Sequence, residues 1–171
     1  MKAILLAGGT GTRMRPSTTG INKHLIPVYN KPMIYYSLSV LMLCKFKEVI
    51  LICDPSSKEI YKKIFFNGNY LGMKIHILVQ KEANGIPEAF LVAKNYIKNH
   101  SVCLMLGDNF FYGQGFYKIL KRGITLKKGA FFLAYNVQRP EDYAIIEKKN
   151  NKIISIEEKP KFPKTNLAIP G

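Results

Sequence analysis

The sequence predicts an α/β fold with a Rossmann-like, mostly parallel sheet that carries helices on both faces. Two observations predict it. Short, continuous apolar runs of buried-strand type alternate with segments of helical spacing, and glycine-rich or polar stretches follow the strands directly. The chain has 171 residues, enough for one domain with its own core. Because the sequence shows no internal repeat, linker or low-complexity stretch, residues 1–171 are predicted to form a single domain.

The individual elements are assigned from the apolar pattern in chain order, strands from continuous apolar runs and helices from apolar residues at helical spacing. The first helix follows Pro32, which suits a first helical turn, and the second begins at the capping residue Asp54. The last two strands flank Lys149-Asn150-Asn151-Lys152, which is typical of a hairpin turn. The predicted elements are strand 2–6, helix 33–43, strand 49–53, helix 54–65, strand 74–79, helix 86–97, strand 102–106, a helix from after 115 to about 121, strand 130–137, and strands 143–147 and 153–156.

The charge balance is strongly basic but does not predict a nucleic-acid partner. The formal net charge is +15, and 22 of the 26 positive residues are lysines spread along the chain. Arginine is the residue that reads guanine bidentately, so a diffuse lysine excess favours solvated faces and anionic small-molecule substrates. No apolar run approaches the about 20 residues of a membrane helix, and no signal peptide is recognised, so we expect a cytoplasmic protein without a membrane partner.

The cysteines and histidines predict no zinc or iron–sulfur site. Cys44, Cys53 and Cys103 lie far apart, none forms a C-x-x-C pair, and each sits in an apolar stretch. The three histidines show no metal-ligand spacing with them. Buried free thiols are therefore the expectation.

A glycine-rich loop follows the first predicted strand. The string Leu6-Ala7-Gly8-Gly9-Thr10-Gly11-Thr12-Arg13 has three glycines in four positions, and glycine lets backbone N–H groups approach a phosphate closely. Arg13 and Lys23 could add fixed positive charge. A Walker A loop is excluded because no lysine follows the glycines in register. A dinucleotide fingerprint starting at Gly9 would end on Met14 instead of glycine, which leaves a dinucleotide-dependent oxidoreductase as a weaker alternative.

Polar residues also follow later strands. Gln80 comes after the strand 74–79, and Gly107-Asp108-Asn109 follows the strand 102–106. Parallel sheets of this kind bind ligands at the carboxyl ends of their strands, where the glycine loop also lies. The sequence therefore places the candidate binding residues at one edge of the sheet.

Several longer strings occur in order along the whole chain. They are Leu6 to Arg13, Pro16, Asn22-Lys-His-Leu-Ile-Pro-Val-Tyr-Asn-Lys-Pro-Met-Ile-Tyr-Tyr-Ser-Leu, Leu106-Gly-Asp-Asn-Phe-Phe-Tyr-Gly and Ser155-Ile-Glu-Glu-Lys-Pro. Together they resemble the signature of the nucleotidylyltransferases that make nucleotide sugars. The long string that begins at Asn22 resembles their thymidylyltransferase branch in particular, and so do the strings that begin at Leu106 and Ser155. The resemblance implies a nucleotidyltransferase fold similar to the GT-A type.

The resemblance also implies a reaction. A nucleoside triphosphate and a sugar 1-phosphate give a nucleoside diphosphate sugar and pyrophosphate, here with dTTP or another pyrimidine triphosphate and glucose 1-phosphate. The sugar phosphate oxygen attacks the α-phosphorus in line, so that no enzyme nucleophile is required and catalysis consists mainly of positioning and charge neutralisation. A Mg²⁺ cofactor would bridge phosphate oxygens.

Site residues follow by the same resemblance. The nucleotide-binding residues are Leu6, Gly8, Gly9, Gly11, Thr12, Arg13, Lys23, Gln80, Gly85 and Asp108. The sugar-phosphate-binding residues are Asn109, Tyr143, Ala144, Glu158 and Lys159. Arg13, Asp108 and Lys159 are implied to be catalytic, with Asp108 as the Mg²⁺ ligand. Gln80 and Gly85 are implied to read the base, since a glutamine amide offers a donor and an acceptor to a pyrimidine edge.

Structural alternatives to these roles remain open. Asp108 could cap the turn after its strand, and Glu158 and Lys159 could be ordinary exposed charges closing a strand. Tyr143 could be a strand aromatic without a ligand. A degenerate remnant that binds nucleotide without turnover is a further alternative to the enzyme.

Two departures from the family pattern affect the expectations. Ala144 stands where the family has glycine next to the hexose, so the identity of the sugar is open. The family's chain continues beyond the equivalent of Gly171 and carries a second metal-binding carboxylate there. Residues 1–171, read as a nucleotidyltransferase domain incomplete at its C-terminus, are therefore expected to show negligible turnover alone. A homo-oligomer is compatible with the sequence, and dTTP is not distinguished from UTP.

Overall fold

The computed structural model describes residues 1–9, 11–82, 84–150 and 152–169, without the side chain of Arg13. The chain divides into two compact units, Met1–Ile124 and Thr125–Gly171. Each unit is described by itself below. The assignment of all 171 residues to one nucleotidyltransferase domain stays a prediction.

The first unit contains the predicted alternation of strands and helices. Its elements are β1 (Lys2–Ala7), β2 (Pro27–Val28), β3 (Lys31–Pro32), α1 (Ile34–Leu43), β4 (Glu48–Cys53), α2 (Lys58–Phe65), β5 (Lys74–Val79), α3 (Ile86–Val92), α4 (Lys94–Ile97), β6 (Val102–Leu106) and α5 (Phe116–Ile124). The four predicted strands are confirmed to within one residue at each end. Pro32 does not start a helix, because it pairs with Pro27 in the short β2–β3 hairpin. The helix predicted over 86–97 is interrupted at Ala93, whose ψ of −3° departs from helical geometry.

The central sheet is parallel and buried on both faces. Its strand order is β5–β4–β1–β6, and β1 pairs in parallel with both β4 and β6. Alternate residues of a strand point to opposite faces. Leu5 accordingly packs in one apolar cluster with Leu38 of α1 and Phe65 of α2, while Ile4 packs in another with Ala89 of α3. Helices therefore cover both faces, which confirms the predicted fold class.

The second unit is built around an antiparallel sheet. Its strands are β7 (Tyr135–Asn136), β8 (Ala144–Lys149), β9 (Lys152–Glu158) and β10 (Leu167–Ile169), in the order β7–β10–β8–β9. The predicted hairpin is confirmed, since β8 and β9 pair antiparallel from Ala144↔Glu158 to Lys149↔Lys152. Asn151 in its predicted turn lies outside the described residues.

The strand predicted over residues 130–137 is wrong for most of its length. Only Tyr135 and Asn136 form a strand, paired with Ala168 and Leu167 of β10. A strand exists only where a neighbour satisfies its backbone groups, and among the described residues Tyr135 and Asn136 are the ones of this run that pair with β10. Apolar composition alone does not show which residues of a run will find a partner. In the described part of the chain, no helix is long and apolar enough to cross a membrane.

The capping residue predicted from the sequence caps the 3₁₀ turn Pro55–Ser57, which leads directly into α2. Asp54 Oδ1 accepts a hydrogen bond from the Ser57 backbone N–H at 3.0 Å, and Oδ2 accepts one from Ser57 Oγ at 2.8 Å. Burial raises the pKa of the Asp54 carboxyl, but hydrogen bonds from Ser56, Ser57 and Asn22 outweigh burial and lower it below the ordinary value. The ionised form is therefore the one that the fold stabilises.

Replacing Asp54 with alanine is expected to lower the free energy of unfolding by about 1 kcal/mol, the usual contribution of a helix cap. Because the pKa of Asp54 is depressed in the folded state, the difference should be fully present at neutral pH and should shrink as the pH falls below about 4. Urea unfolding at pH 7 and at pH 3 measures it. Glu59→Ala, which removes an exposed carboxylate and its ion pair with Lys62 in the first turn of α2, is the matched control and should lower the free energy of unfolding by only about 0.3 kcal/mol. Equal effects of the two variants would contradict the capping role.

Candidate active site

A cleft of about 940 Å³ opens at the carboxyl ends of the four parallel strands of the first unit. Its volume suits a ligand of nucleotide size. The chain passes from β1 to β4 and β5 on one side and then to β6 on the other side of β1, so the strand order reverses between β1 and β6. Open α/β sheets bind their ligands at such a reversal. The lining residues are Leu6, Gly8, Gly9, Arg15, Thr18, Thr19, Gly20, Ile21, Asn22, Lys23, His24, Asp54, Pro55, Ser56, Gln80, Lys81, Glu82, Gly85, Ile86, Leu106 and Asp108.

The first residues of the predicted glycine loop lie at this cleft. Leu6, Gly8 and Gly9 line it, whereas Gly11 and Thr12 do not. Gly9 has a φ of +111°, which glycine adopts without strain. Gly11 has a φ of +57°, and its carbonyl oxygen accepts a hydrogen bond from Thr18 Oγ1 at 2.7 Å. Thr12 is exposed and begins a short 3₁₀ turn. Thr10 and the side chain of Arg13, for which a catalytic role is predicted, lie outside the described part of the chain.

Lys23 and Asp108 form an ion pair at the cleft. Lys23 Nζ donates to Asp108 Oδ2, and the two side chains are 25% and 30% exposed. Burial raises the pKa of the Asp108 carboxyl, but the hydrogen bond and the positive charge of Lys23 outweigh burial and hold the pKa below its ordinary value. The site thus presents an ammonium group and an ionised carboxylate 85 residues apart in the sequence.

Beneath this pair lies a polar bridge that the sequence did not predict. Asn22 Nδ2 donates to the Ala7 carbonyl oxygen at 2.8 Å and to Asp54 Oδ2 at 2.6 Å. Asn22 Oδ1 accepts from the backbone N–H of His24 at 2.9 Å and lies 2.8 Å from His24 Nδ1. Because Oδ1 can only accept, His24 Nδ1 must carry the hydrogen. One amide side chain therefore joins the end of β1, the cap of the turn that leads into α2, and the turn that carries Lys23.

His24 extends the bridge towards Asp108. Its ring is 2% exposed, and burial, followed by the charge of Lys23, lowers its pKa to about 4, so that it is neutral at physiological pH. A Cβ at Gly107 would lie 2.8 Å from His24 Cδ2 and 2.8 Å from the Leu6 carbonyl oxygen. Glycine is required there by close packing, and this contact fixes the turn that carries Asp108.

Gln80 and Gly85, the predicted base-reading residues, lie together on another wall of the cleft. Gln80 Nε2 donates to Glu88 Oε2 at 2.8 Å and to the Gly85 carbonyl oxygen at 3.3 Å. The Gln80 backbone N–H donates to the Cys53 carbonyl oxygen at 2.9 Å, which continues the β4–β5 ladder by one residue. The position of Gln80 is thereby fixed by the sheet and its amide by α3.

The residues present fit a magnesium ion only in part. No group of three or more His, Cys, Asp or Glu side chains that could hold a metal occurs among the described residues. Asp54 also lines the cleft, but its oxygens accept from Asn22, Ser56 and Ser57. Asp108 supplies one ionised, partly exposed carboxylate, and Mg²⁺ is commonly held by one or two carboxylates together with substrate phosphates.

The predicted sugar-phosphate residues of the second unit lie together at the open end of the β8–β9 hairpin. Ala144 and Glu158 are direct partners across the two strands, and the Lys159 backbone N–H donates to the Tyr143 carbonyl oxygen at 3.0 Å. Lys159 has a φ of +45°, an unfavourable backbone conformation for a residue with a side chain. The side chains of Glu158 and Lys159 are mainly exposed. Asn109 belongs to the first unit, where its carbonyl oxygen accepts from Ser37 Oγ at 2.9 Å.

Comparison with known proteins decides the family. The sequence profile of the nucleotidyl transferase family matches residues 2–171. The chain belongs to the nucleotidyl transferase family. This membership confirms the resemblance seen in the sequence and disfavours the dinucleotide-dependent oxidoreductase.

Relatives within the nucleotidyl transferase family carry a more specific name. The chain is 44% identical over 172 residues to the glucose-1-phosphate thymidylyltransferase of Neisseria meningitidis, a match that covers 100% of this chain and 60% of the relative. It is 40% identical to the glucose-1-phosphate thymidylyltransferase of Mycolicibacterium smegmatis, with 100% and 59% covered. The chain therefore spans about 60% of the length of the curated relatives it matches.

Solved structures agree with this result. A crystal structure of a Bacillus anthracis protein assigned to the glucose-1-phosphate thymidylyltransferases, in complex with sucrose, is similar with a TM-score of 0.88 and 34% identity, over 99% of this chain and 68% of that one. A UDP-glucose pyrophosphorylase of Acinetobacter baumannii has a TM-score of 0.79 at 20% identity and supports the fold alone.

Proposed function

We propose that the first unit binds dTTP, or another pyrimidine nucleoside triphosphate, in the cleft at the carboxyl ends of its parallel strands. We further propose that the protein transfers the thymidylyl group to glucose 1-phosphate, giving dTDP-glucose and pyrophosphate for nucleotide-sugar biosynthesis. The observation that carries the proposal is the convergence of the glycine loop, the Lys23–Asp108 pair and the Gln80–Gly85 pair on one cleft. The names of the relatives support the choice of substrates.

In this proposal the chain positions the reacting groups and neutralises their charge. The phosphate oxygen of the sugar substrate attacks the α-phosphorus in line and pyrophosphate leaves, so the protein needs no nucleophile of its own. The backbone N–H groups of Gly8 and Gly9 donate to phosphate oxygens, and Lys23 supplies a positive charge beside them. Arg13 stabilises the leaving pyrophosphate. A Mg²⁺ ion held by Asp108 would neutralise phosphate charge when bound.

The second unit is assigned to the sugar phosphate. Lys159 would pair with the phosphate group, and Glu158 would accept hydrogen bonds from sugar hydroxyls, with Tyr143 beside them. Ala144 places a methyl group at this end of the hairpin, so we expect the preference among hexose phosphates to be set there. Uracil differs from thymine by a single methyl group, which contributes about 1 kcal/mol or slightly more to binding in a pocket. The proposed preference for dTTP over UTP therefore rests on the names of the relatives.

Calorimetric titration of the chain with dTTP and Mg²⁺ tests the binding proposal, and release of pyrophosphate from dTTP and glucose 1-phosphate tests the transfer. We expect saturable binding of dTTP. We expect turnover by residues 1–171 at least a hundredfold below that of the Neisseria meningitidis relative. The chain spans about 60% of that relative's length, and a reacting group held about 1 Å out of place loses activity of that order. Absence of saturable dTTP binding would contradict the proposed function. Turnover near the relative's rate would overturn the expectation for the chain alone.

A further inference from the structure

Glu88 holds the candidate base-reading side chain from outside the cleft. It lies in the first turn of α3, is half-buried, and does not line the cleft, whereas Gln80 and Gly85 do. Its Oε2 atom accepts a hydrogen bond from Gln80 Nε2 at 2.8 Å, and the Gly85 carbonyl oxygen accepts a second one at 3.3 Å. Glu88 therefore acts on the cleft through Gln80.

These two hydrogen bonds determine which way the Gln80 amide faces. A carboxylate and a backbone carbonyl can only accept, so the NH₂ group of Gln80 must face them. A glutamine amide carries two N–H donors, and both are engaged by these partners. Gln80 consequently has no donor left for a ligand, and Oε1 is the polar atom that remains to accept one.

Because the Gln80 amide cannot rotate to present its NH₂ group to the cleft, its oxygen discriminates between pyrimidine bases. Thymine and uracil carry an N–H at ring position N3, whereas cytosine has an acceptor at that position. A fixed Oε1 can accept a hydrogen bond from the N3–H of thymine or uracil. With cytosine, Oε1 would lie opposite N3, and because both atoms are acceptors no hydrogen bond would form. A site built to pair with an N–H rejects an analogue that lacks it.

We propose that Glu88 is a specificity-determining positioning residue: by holding the Gln80 amide in one orientation, it makes the cleft select bases with an N3–H and reject cytosine. This inference rests on the proposed nucleotide binding. It also refines the expectation that Gln80 offers the base a donor together with an acceptor, because both of its donors are directed to Gly85 and Glu88.

The test compares the dissociation constants of dTTP and dCTP, each with Mg²⁺, for the wild-type chain and a set of variants. The wild type should prefer dTTP at least tenfold. Glu88→Met has a similar length and removes the acceptor, so the freed amide can rotate and donate to cytosine; the preference should fall to threefold or less. Glu88→Gln keeps an oxygen that can accept from Gln80 and should retain most of the preference. Gln80→Ala should also lose it.

The controls separate this role from general destabilisation. Glu59→Ala removes the corresponding first-turn carboxylate of α2 and should leave the dTTP/dCTP ratio unchanged. Thermal unfolding of each variant checks that it is folded, and Glu88→Ala replaces Glu88→Met if that variant is not. A ratio that stays at the wild-type value in folded Glu88→Met or Glu88→Ala overturns the inference, whether or not Gln80→Ala changes it. Failure of the wild type to bind dTTP would instead refute the proposed function.

Discussion

Replacing Gly11 with valine is expected to lower the affinity for dTTP at least tenfold, equivalent to about 1.4 kcal/mol. Gly11 has a φ of +57°, which a β-branched residue adopts only with strain. A Cβ there would lie 2.9 Å from Thr18 Cγ2 and 3.2 Å from Lys23 Cβ. The new side chain must therefore displace the side chains of Thr18 and of Lys23, the residue assigned to the phosphates, or move the loop itself. Calorimetric titration measures the change.

Gly115→Val is the matched control for this substitution. Gly115 precedes α5 and has a φ of +72°, but no atom lies within 4 Å of its added Cβ. Neither glycine lines the cleft itself, but the Cβ added at Gly11 would meet Thr18 and Lys23, which do. Both variants should lose some stability through backbone strain, and only Gly11→Val should lose affinity. A folded Gly11→Val chain with an unchanged dissociation constant would refute the assignment of the glycine loop.

Replacing Asp108 with asparagine is expected to abolish the effect of Mg²⁺ on dTTP binding. In the wild type, removing Mg²⁺ with EDTA should weaken binding at least tenfold, since Asp108 then places a negative charge near the phosphates and competes with them for Lys23. The variant should bind dTTP in EDTA at least as tightly as the wild type, because the carboxylate is gone and Lys23 is released from its ion pair. Adding Mg²⁺ should then change its affinity less than threefold.

The loss of the Mg²⁺ effect in Asp108→Asn distinguishes a metal ligand from a residue that only caps a turn. If Asp108 only stabilised the turn after β6, its replacement would lower the unfolding temperature and leave the Mg²⁺ dependence intact. Glu59→Gln, at an exposed ion pair on α2, serves as the control for loss of one negative charge and should behave as the wild type. An unchanged Mg²⁺ effect in Asp108→Asn would contradict its role in metal binding.

The sequence was sufficient to predict features that depend on local pattern. Apolar runs located β1, β4, β5 and β6 because the strands of a parallel sheet covered on both faces carry apolar residues at most positions. Asp54 was identified as a cap from its residue type and place alone. Glycine density after β1 located the loop beside the cleft. Each of these signals lies within a few neighbouring residues.

Features that depend on distant contacts could not be read in this way. Asn22 and His24 carry no periodic signal, and their importance arises from partners at Ala7, Asp54 and Gly107 that only the folded chain brings together. The orientation of an amide such as that of Gln80 likewise depends on which acceptors surround it.

The strand predicted over 130–137 failed for the same reason. The apolar run itself is present, but among the described residues only Tyr135 and Asn136 of the run pair with β10. Composition does not describe which residues of a run find a pairing partner.

The central claim is that the cleft of the first unit is a binding site for a pyrimidine nucleoside triphosphate, and amide chemical-shift mapping tests it most directly. Isotope-labelled chain is titrated with dTTP in the presence of Mg²⁺. The account predicts saturable shifts concentrated in residues 8–24, 80–88 and 106–109, with small changes in α5. Shifts that do not saturate, or that concentrate on α5 while the residues around the cleft stay unchanged, would contradict it.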